Sequence, residues 1–533
     1  MANRHQGAFA NKLARMVGLL GPLAVAVVAG MGTYAQIAVD FDDPPTSAQR
    51  VSALLAVLSA SALGYLSALA GAYALRRRHQ EHVDRLSPPK TDYRQSPSPI
   101  KPSPFRISWS MISSLLVMLL LVTGVIVYVV GESGSCLRAE SDALAAQGNT
   151  KEADGVLSIG ALLPQTGSLA HMGPRMSAGM QLAIKDITDS GGVPGIEMLP
   201  QINVRDSGDA STDLASQSTD VLLSSGIDVI IGAAASQVSL SVIDRIVCAG
   251  VIMFSPTNTS PVFSEYHDYG FYFRTAPSDL LQGRVLGRLV VNDGNRTAIV
   301  MSRDDAYGNG LREATAKAIK DSGGRVLASF SYDPDAQSYD REVQQVVSAN
   351  PDAVVMIGFN EDAQILSTMI KQGVGPVNKN IYITGNMNNT LIGQVNPRDH
   401  SVLRGMKGTA LSRGDEHFLV RLKQFSPSLQ DCSCAAHAYD TVVIVALAAA
   451  IASTDAPAAV AKEINGVTKG GERCTSFADC VRLVKEGKNI DYDGVSGPLE
   501  FTDVGEPSMG NYAFFEAQPD GSLKHLRDER IRF

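Results

Sequence analysis

The sequence predicts two doubly wound α/β lobes preceded by a membrane region of three helices. Three features of the 533 residues support this architecture. The first quarter contains three long uncharged runs, and the remainder alternates short apolar strands with amphipathic helices in two successive blocks. Small polar residues follow most of the predicted strands. The chain is too long for one compact core, and its net charge of −8 argues against a protein that binds nucleic acid.

Each uncharged run is long enough to cross a membrane. A bilayer core of about 30 Å needs roughly 20 helical residues, and the predicted spans cover residues 17–39, 51–75 and 107–130. Three such helices in a soluble protein would need amphipathic neighbours, which this part of the chain lacks. We therefore predict a membrane region over residues 1–135, with a Pro/Ser-rich linker at 79–106.

The distribution of Lys and Arg predicts the orientation of these spans. Arg4, Lys12 and Arg15 precede the first span, and the segment LRRRHQEHVDR follows the second. Because positively charged flanks stay in the cytoplasm, the N-terminus and the linker 79–106 are predicted to be cytoplasmic, with the C-terminal domain outside the cell. The alternatives are a cleaved signal peptide at the start of the chain and a lipid anchor at Cys136.

Residues 153–533 are predicted to form the extracytoplasmic domain. Its first block alternates helices with the strands VLSIGALLP, INVRD, IDVIIGAAA and VIMFSP, and its second block with RTAIVMS, VLASFSY, DAVVMIGF and NIYIT. Such alternation predicts parallel sheets covered by helices. We assign lobe 1 to residues of about 156–276 and 405–485, and lobe 2 to about 277–404 and 490–533.

The turn FSPTNTSP, residues 254–261, ends a buried strand of lobe 1 in hydroxyl and amide side chains. Ligands of open α/β sheets bind at the carboxyl ends of strands, where helix N-termini and hydroxyl groups attract anions. Ser236 starts such a helix, and Thr257 and Thr259 follow the next strand. We predict that these residues hold a carboxylate. The alternative is that Ser236 only caps its helix and that the threonines only form the turn.

Residues 156–533 resemble the type I periplasmic-binding fold, and in particular the branched-chain amino acid (Leu/Ile/Val-type) substrate-binding proteins of ABC transporters. The motifs that carry the resemblance occur in family order: SIGALLPQTGSLAHMGPRMSAGMQLAIKDI, IIGAAASQVSLSV, FSPTNTSP, FRTAPSDLLQG, RDDAYGNGL and DYDGVSGPLEF. The resemblance covers about two-thirds of the chain and none of the membrane region. It implies two lobes joined by three crossover segments, which close on a ligand.

The resemblance also implies the residues of the ligand site. The α-carboxylate of a ligand would bind Ser236 and Thr259, and Thr257 would add a backbone contact. Tyr307 and Phe359 would close over the ligand from lobe 2. We also predict that Met172, Ala234, Ala235, Asn258 and Asn386 belong to the ligand site.

Two departures from the family pattern affect the ligand. Met172 stands where the family often has an aromatic residue. The family normally has an acid after the strand NIYIT, which pairs with the ligand's α-ammonium, but residues 381–398 contain no Asp or Glu. Thr384, Asn386 or Met387 takes that place. Because a buried ammonium without a carboxylate is unfavourable, either another acid substitutes or the ligand is not a plain α-amino acid. The candidate acids are Asp304, Asp305, Glu361 and Asp362.

The segment CTSFADC resembles a family disulfide, Cys474–Cys480, which an extracytoplasmic location permits. The alternative is zinc bound by these two residues with Cys432 and Cys434, although the spacing fits known zinc sites poorly. Cys248 has two potential partners, Cys432 and Cys434, and the sequence does not choose between them.

The resemblance implies a protein that captures a small carboxylate-bearing solute, an amino acid or a related molecule, and the predicted spans would tether it to the membrane. It would deliver this solute to the permease and ATPase subunits of an ABC importer. The sequence contains no G-x-S-x-G, H-E-x-x-H or P-loop motif, so we expect neither enzymatic activity nor a cofactor. The alternative is a ligand-sensing subunit of a membrane signalling complex, because the same fold serves in sensors.

Overall fold

The computed structural model describes residues 151–385, 389–429, 432 and 434–533. The predicted spans, the linker 79–106 and Cys136 lie outside these residues, as do Asn386 and Met387. One described helix, Ala435–Ala452, has the length and composition of a membrane span, but 89% of it is buried inside the protein. It packs closely on a lobe 1 helix, where a Cβ at Gly179 would lie 2.2 Å from the Ala435 carbonyl oxygen. We therefore identify it as a core helix.

Lobe 1 contains a sheet of five parallel strands. In chain order these are β2 (Ile159–Leu163), β4 (Asn203–Asp206), β5 (Val229–Gly232), β6 (Ile252–Ser255) and β7 (Tyr272–Arg274), with the short parallel pair β1 (Val156–Leu157) and β3 (Glu197–Met198) forming a separate small sheet. Across the sheet the order is β4–β2–β5–β6–β7. The chain therefore changes direction between β2 and β5, which is where open α/β sheets bind ligands.

Lobe 2 contains a sheet of seven strands. Five run parallel: β8 (Thr297–Arg303), β9 (Arg325–Tyr332), β10 (Ala353–Ile357), β11 (Asn380–Thr384) and β12 (Lys407–Leu411). An antiparallel hairpin of β15 (Met509–Ala517) and β16 (Leu523–Arg532) extends the edge beyond β12. The order is β16–β15–β12–β11–β10–β8–β9, so the parallel α/β architecture predicted for both lobes is confirmed.

Helices cover both sheets. They are α1 (Gly173–Asp189), α2 (Leu214–Ser224), α3 (Ser236–Cys248), α4 (Asp279–Asn292), α5 (Ala306–Asp321), α6 (Asp340–Ala349), α7 (Asp362–Lys371), α8 (Asn389–Val395), α9 (Glu416–Phe425), α10 (Ala435–Ala452), α11 (Pro457–Val467) and α12 (Phe477–Lys485). The strands VIIG of β5 and AVVMI of β10 are buried along their whole length. Continuous apolar strands of this kind are expected where helices pack on both faces of a parallel sheet.

The chain passes between the lobes in three crossovers, after β7, after β12 and after the lobe 1 strand β14 (Ile490–Tyr492). Two predicted boundaries need correction. Strand β12 pairs with β11 and β15, so lobe 2 continues to Leu411 instead of ending near residue 404. Strand β14 pairs with β13 (Glu472–Cys474) of lobe 1, so lobe 2 resumes after Tyr492 instead of at residue 490. The sequence KGTAL of β12 lacks the Val and Ile residues that mark most of the other strands, which explains the first error.

The predicted disulfide between Cys474 and Cys480 is confirmed, with an S–S distance of 2.03 Å. It joins the end of β13 to α12. Because both sulfur atoms are used in this bond, the alternative of a zinc site that includes them is wrong. Cys248 also takes part in a disulfide, and Cys432 and Cys434 are buried in lobe 1.

Candidate functional site

A cavity of about 840 Å³ lies between the lobes at the carboxyl ends of the strands. Eight predicted site residues line it: Met172, Ala234, Ala235, Ser236, Thr257, Thr259, Tyr307 and Phe359. Asn258 is fully buried behind the wall, and Asn386 lies outside the described residues. The structure therefore brings together side chains from both lobes that are up to 187 positions apart in sequence (172 to 359).

A second cavity, of about 800 Å³, is lined by the second and third crossovers. Its charged side chains are largely engaged with one another, since Arg421 pairs with Asp186 and Arg473 pairs with Asp493. The cavity between the lobes contains a helix N-terminus and hydroxyl groups, and it is also lined by the charged residues Arg175, Arg413, Glu416 and Lys423. We therefore place the candidate ligand site in the cavity between the lobes.

The N-terminus of α3 forms the lobe 1 side of this cavity. Ser236 is the first residue of the helix and only 3% exposed, while Ala235 holds the N-cap position without a side-chain cap. The alternative that Ser236 is merely the N-cap is therefore wrong. Its oxygen accepts the Ser260 N–H at 3.4 Å, which leaves its own proton for an acceptor in the cavity. The first N–H groups of a helix also lack partners within it, so this end of α3 attracts an anion.

The turn after β6 is tied to the end of β5 by side-chain hydrogen bonds. Asn258 donates to the carbonyls of Ala233 and Ala234 at 3.1 and 3.0 Å. Thr257 donates its hydroxyl to the Ala234 carbonyl at 3.0 Å. These side chains hold the two strand ends together, so we correct Asn258 from a predicted ligand residue to a structural one. Thr259 remains at the cavity wall, where it is 7% exposed.

Arg274, at the end of β7, fixes the position of Thr259. Its guanidinium donates to the carbonyls on either side of that residue, those of Asn258 at 3.3 Å and Ser260 at 2.7 Å. It also donates to the Glu506 carboxylate at 2.9 Å, and Arg274 is fully buried. A charged pair that links the turn to the third crossover thus supports the site. Neither residue was predicted from the sequence, because the two lie 232 positions apart.

Two aromatic rings form the lobe 2 side of the cavity. Tyr307 and Phe359 stack with 5.4 Å between ring centroids and 14° between planes. The guanidinium of Arg303 lies 3.9 Å from the Phe359 centroid, and the Tyr307 hydroxyl is 2.8 Å from Thr384 Oγ1. These contacts fix the orientation of both rings. This position is consistent with the prediction that Tyr307 and Phe359 cover the ligand from lobe 2.

The comparison with known proteins identifies the family. Residues 156–522 match a family model described as periplasmic binding protein. The chain belongs to this family. The Leu/Ile/Val-binding protein homolog 2 of Brucella abortus is 25% identical over 387 residues, which cover 72% of this chain and 94% of that protein.

Two other relatives differ in how much of their length is matched. The chemotactic signal transduction system substrate-binding protein BasB of Halobacterium salinarum is 23% identical over 367 residues, which cover 66% of this chain and 85% of BasB. An uncharacterised protein of Methanocaldococcus jannaschii is 26% identical over 246 residues. That match covers 44% of this chain and 58% of the relative.

Solved structures share the fold of this periplasmic binding protein. The substrate-binding protein LivJ of Streptococcus pneumoniae, in complex with isoleucine, is 19% identical with a TM-score of 0.56, covering 71% of this chain and 99% of that one. A solute-binding protein of Rhodopseudomonas palustris, in complex with p-hydroxybenzoic acid, is 14% identical with a TM-score of 0.57, covering 71% and 98%.

The four acids proposed to replace the missing lobe 2 carboxylate do not line the cavity. Asp305 and Glu361 pair with Arg303 at 2.6 and 2.9 Å. Asp304 accepts a hydrogen bond from the Asn309 side chain, and Asp362 is buried beneath Gly358. Burial also raises the pKa of Asp362 well above its usual range. The expectation that one of these acids faces the ligand is therefore not supported by their positions.

A different acid, Asp279, lies next to the site. It begins α4 and is fully buried, and its backbone N–H donates to the Thr259 carbonyl at 2.7 Å. The nearby Thr259 hydroxyl partly offsets the rise in the pKa of Asp279. Neither carboxylate oxygen forms a hydrogen bond to a described residue, so the hydroxyl keeps its proton for a solute. Burial raises the pKa of Asp279 to about 7. Gln282, one turn further along α4, lines the cavity. The ionised form of Asp279 therefore places negative charge directly behind Thr259.

Proposed function

We propose that this periplasmic binding protein captures a small carboxylate-bearing solute, an amino acid or a related molecule, between its lobes. The observation that carries the proposal is the N-terminus of α3 at the cavity wall, with Ser236 and Thr259 beside it. Helix N–H groups and hydroxyl donors stabilise an anion without an arginine. Tyr307 and Phe359 would cover the solute from lobe 2.

The size of the cavity supports a small-molecule ligand. At about 840 Å³, it falls within the range of roughly 300–1,000 Å³ that is typical of such sites. The solved structures of the same fold named above contain isoleucine and p-hydroxybenzoic acid. Both molecules carry a carboxylate, which supports our assignment of the lobe 1 anion site to the carboxylate of the solute.

We infer that the solute also carries an ammonium group beside its carboxylate. The negative charge of Asp279 lies behind Thr259, on the same wall as Ser236. An ammonium group of the solute that contacts the Thr259 oxygen would therefore lie close to the Asp279 carboxylate. This attraction between opposite charges would offset the cost of burying the ammonium group. This arrangement would replace the acid that the family has in lobe 2, and it favours an α-amino acid as the ligand.

Transport is the first candidate role. We propose that the protein delivers its solute to the permease and ATPase subunits of an ABC importer, and that it catalyses no reaction. The relative from Brucella abortus is described as a Leu/Ile/Val-binding protein homolog, which supports this role. Purification of the full-length protein in mild detergent should then recover permease and ATPase subunits.

Sensing is the second candidate role, and one relative favours it. BasB is described as a substrate-binding protein of a chemotactic signal transduction system. If this chain acts similarly, the same purification should recover a signalling protein in place of the transporter subunits. The two roles share the solute site and differ in the partner, so the identity of the co-purified protein separates them.

We further propose that the protein resides in the cell membrane, with the N-terminus and residues 79–106 in the cytoplasm and residues 156–533 outside. The motive is the excess of Lys and Arg around these segments. Protease added to intact cells should cut the outer domain and spare a tag at residue 1. The same protease should remove the tag after lysis. An outer domain that stays intact in whole cells would contradict the proposed orientation.

The carboxylate site predicts a loss of affinity when either hydroxyl is removed. A hydrogen bond from a hydroxyl to a buried carboxylate contributes roughly 1.5–3 kcal/mol, or about tenfold to a hundredfold in Kd. Ser236→Ala and Thr259→Ala should each weaken binding by this factor. Calorimetry on the full-length protein, with a panel of L-amino acids and the corresponding carboxylic acids, measures both the ligand and the effect.

The matched control is Ser241→Ala, which removes a hydroxyl from the same helix. Ser241 donates to the Val238 carbonyl at 2.7 Å and does not line the cavity. Its replacement should leave Kd unchanged. Unchanged affinity in both Ser236→Ala and Thr259→Ala, for the ligand that binds the wild type, would contradict the carboxylate site.

A further inference from the structure

Two side chains of lobe 1 form hydrogen bonds to one residue at the start of α5, in lobe 2. The Ala306 N–H donates to Gln237 Oε1 at 3.2 Å, and the Ala306 carbonyl accepts the Ser260 hydroxyl at 2.8 Å. Ala306 is the first residue of α5, so its N–H has no partner within the helix. Two side chains of lobe 1 thus satisfy both backbone groups of a single lobe 2 residue.

The lobes also meet one turn further along α5. A Cβ built on Gly310 would lie 2.5 Å from Cδ of Pro261, a distance that is too short for two carbon atoms without a shift. Pro261 follows Ser260 directly, so this contact and the hydrogen bonds to Ala306 form one continuous patch. We call this patch the α5 latch, defined by Gln237, Ser260, Pro261, Ala306 and Gly310.

Hydrogen bonds from Arg274 hold the lobe 1 half of the α5 latch in place. The Ser260 carbonyl accepts from Arg274 at 2.7 Å, and Arg274 is paired with Glu506 of the third crossover. Gln237 is the second residue of α3. The latch is therefore attached to the same elements that carry the solute site and to one of the segments that join the lobes.

A separate hydrogen bond joins the lobes at another point on the rim of the cavity. Asn360 of lobe 2 donates to the Ser168 carbonyl at 2.7 Å. Ser168 is itself held by Asp209, with both its N–H and its hydroxyl 2.9 Å from carboxylate oxygens. Within the described residues, these hydrogen bonds connect the lobes directly at two places.

We propose that the α5 latch stabilises the closed arrangement of the lobes and positions Tyr307 over the solute site. Tyr307 follows Ala306 directly and lines the cavity. Gln237, Ser260 and Gly310 are then positioning residues, which act on the solute through Tyr307. Because the latch contacts no solute, it should strengthen binding of every molecule that fits the closed cleft. This effect on affinity rests on the proposed function, whereas the effect on closure does not.

The test measures closure of the full-length protein with no solute added. Labels attached to genetically encoded clickable residues at Val221 in lobe 1 and Val377 in lobe 2, which are 40% and 50% exposed, report the distance between the lobes. The wild type should show a population at the short distance of this structure. Gln237→Ala and Ser260→Ala should each reduce the closed-to-open ratio roughly fivefold, as expected for one hydrogen bond.

Gly310→Ala separates closure from fold stability. Alanine is more favourable than glycine in the interior of a helix, so the variant should resist unfolding at least as well as the wild type. The new methyl group should nevertheless push against Pro261 and shift the protein toward the long distance. If Gly310 had only a structural role, its replacement would not raise the resistance to unfolding while lowering the fraction of closed protein.

The controls remove similar groups that do not join the lobes. Gly466→Ala changes a helical glycine with open space around it, and Ser241→Ala removes a hydroxyl bonded within α3. Both should retain the wild-type distribution. Identical distributions in the wild type and the latch variants, or a wild type that shows only the long distance, would overturn the proposal. Since no solute is added, either result is independent of what the cleft binds.

Discussion

Replacing Arg274 by methionine should lower the free energy of unfolding by about 3–5 kcal/mol, the usual effect of removing one partner of a buried ion pair. Arg274 is fully buried and Glu506 is 4% exposed. Without the guanidinium, Glu506 would remain as a buried carboxylate, and the Ser260 carbonyl would lose its donor at 2.7 Å. Chemical denaturation followed by circular dichroism measures the difference.

An exposed ion pair provides the control for this substitution. Arg482 of α12 and Glu486, the residue that follows this helix, form an exposed ion pair with 2.8 Å between charged atoms. Replacing Arg482 by methionine should cost at most about 0.5 kcal/mol. The double variant Arg274→Met, Glu506→Leu should recover part of the lost stability, because neither charge then remains unpaired. An Arg274 variant as stable as the Arg482 variant would contradict the predicted role.

The buried pair of Arg274 and Glu506 also explains how a solute site can be held in place although part of it lies in a turn. The segment PTNTS, residues 256–260, contains no helix or strand that would fix its backbone. Arg274 holds the carbonyls on both sides of Thr259, and Asn258 holds the end of the neighbouring strand. Substitution of Arg274 should therefore weaken solute binding as well as stability, although Arg274 does not line the cavity.

The α/β architecture was predictable because its signals are local. Buried parallel strands appear as continuous Val and Ile runs, as in VIIG of β5. The helices between them carry apolar residues at helical spacing, as in α1. Strand β12 was placed in the wrong lobe because KGTAL gives only a weak strand signal. Its place is determined by pairing with β11 and β15, which no local pattern reports.

The candidate site was predictable where one strand end and the following helix start supply it. Ser236 and Thr259 are of this kind, since each lies next to an element that the sequence itself marks. Arg274 and Asp279 were missed, although both lie within the motif FRTAPSDLLQG. An acid at the start of a helix is ordinary, and only the complete burial of Asp279 beside Thr259 distinguishes it. That burial results from the packing of two lobes and has no signature in the motif.

The affinity for an α-amino acid should rise with pH through the titration of Asp279. Burial raises the pKa of this acid to about 7, although the Thr259 hydroxyl and Arg274 partly offset the increase and Asp305 adds to it. Below pH 7 the acid is protonated, and an ammonium group pairs only with the ionised form. Binding at lower pH must therefore release a proton, and the affinity should be about tenfold higher at pH 8 than at pH 6. Calorimetry with the tightest-binding L-amino acid measures this slope.

Asp279→Asn should remove the pH dependence, because an amide does not titrate in this range. The variant should also bind the amino acid roughly tenfold to a hundredfold more weakly at pH 8, since the ammonium would lose its charged partner. The same solute without its amine provides the matched control. Its affinity should not rise with pH in the wild type, because an ionised Asp279 repels a ligand that carries only a carboxylate. Equal pH slopes for the amino acid and its deaminated analogue would show that Asp279 does not recognise the ammonium.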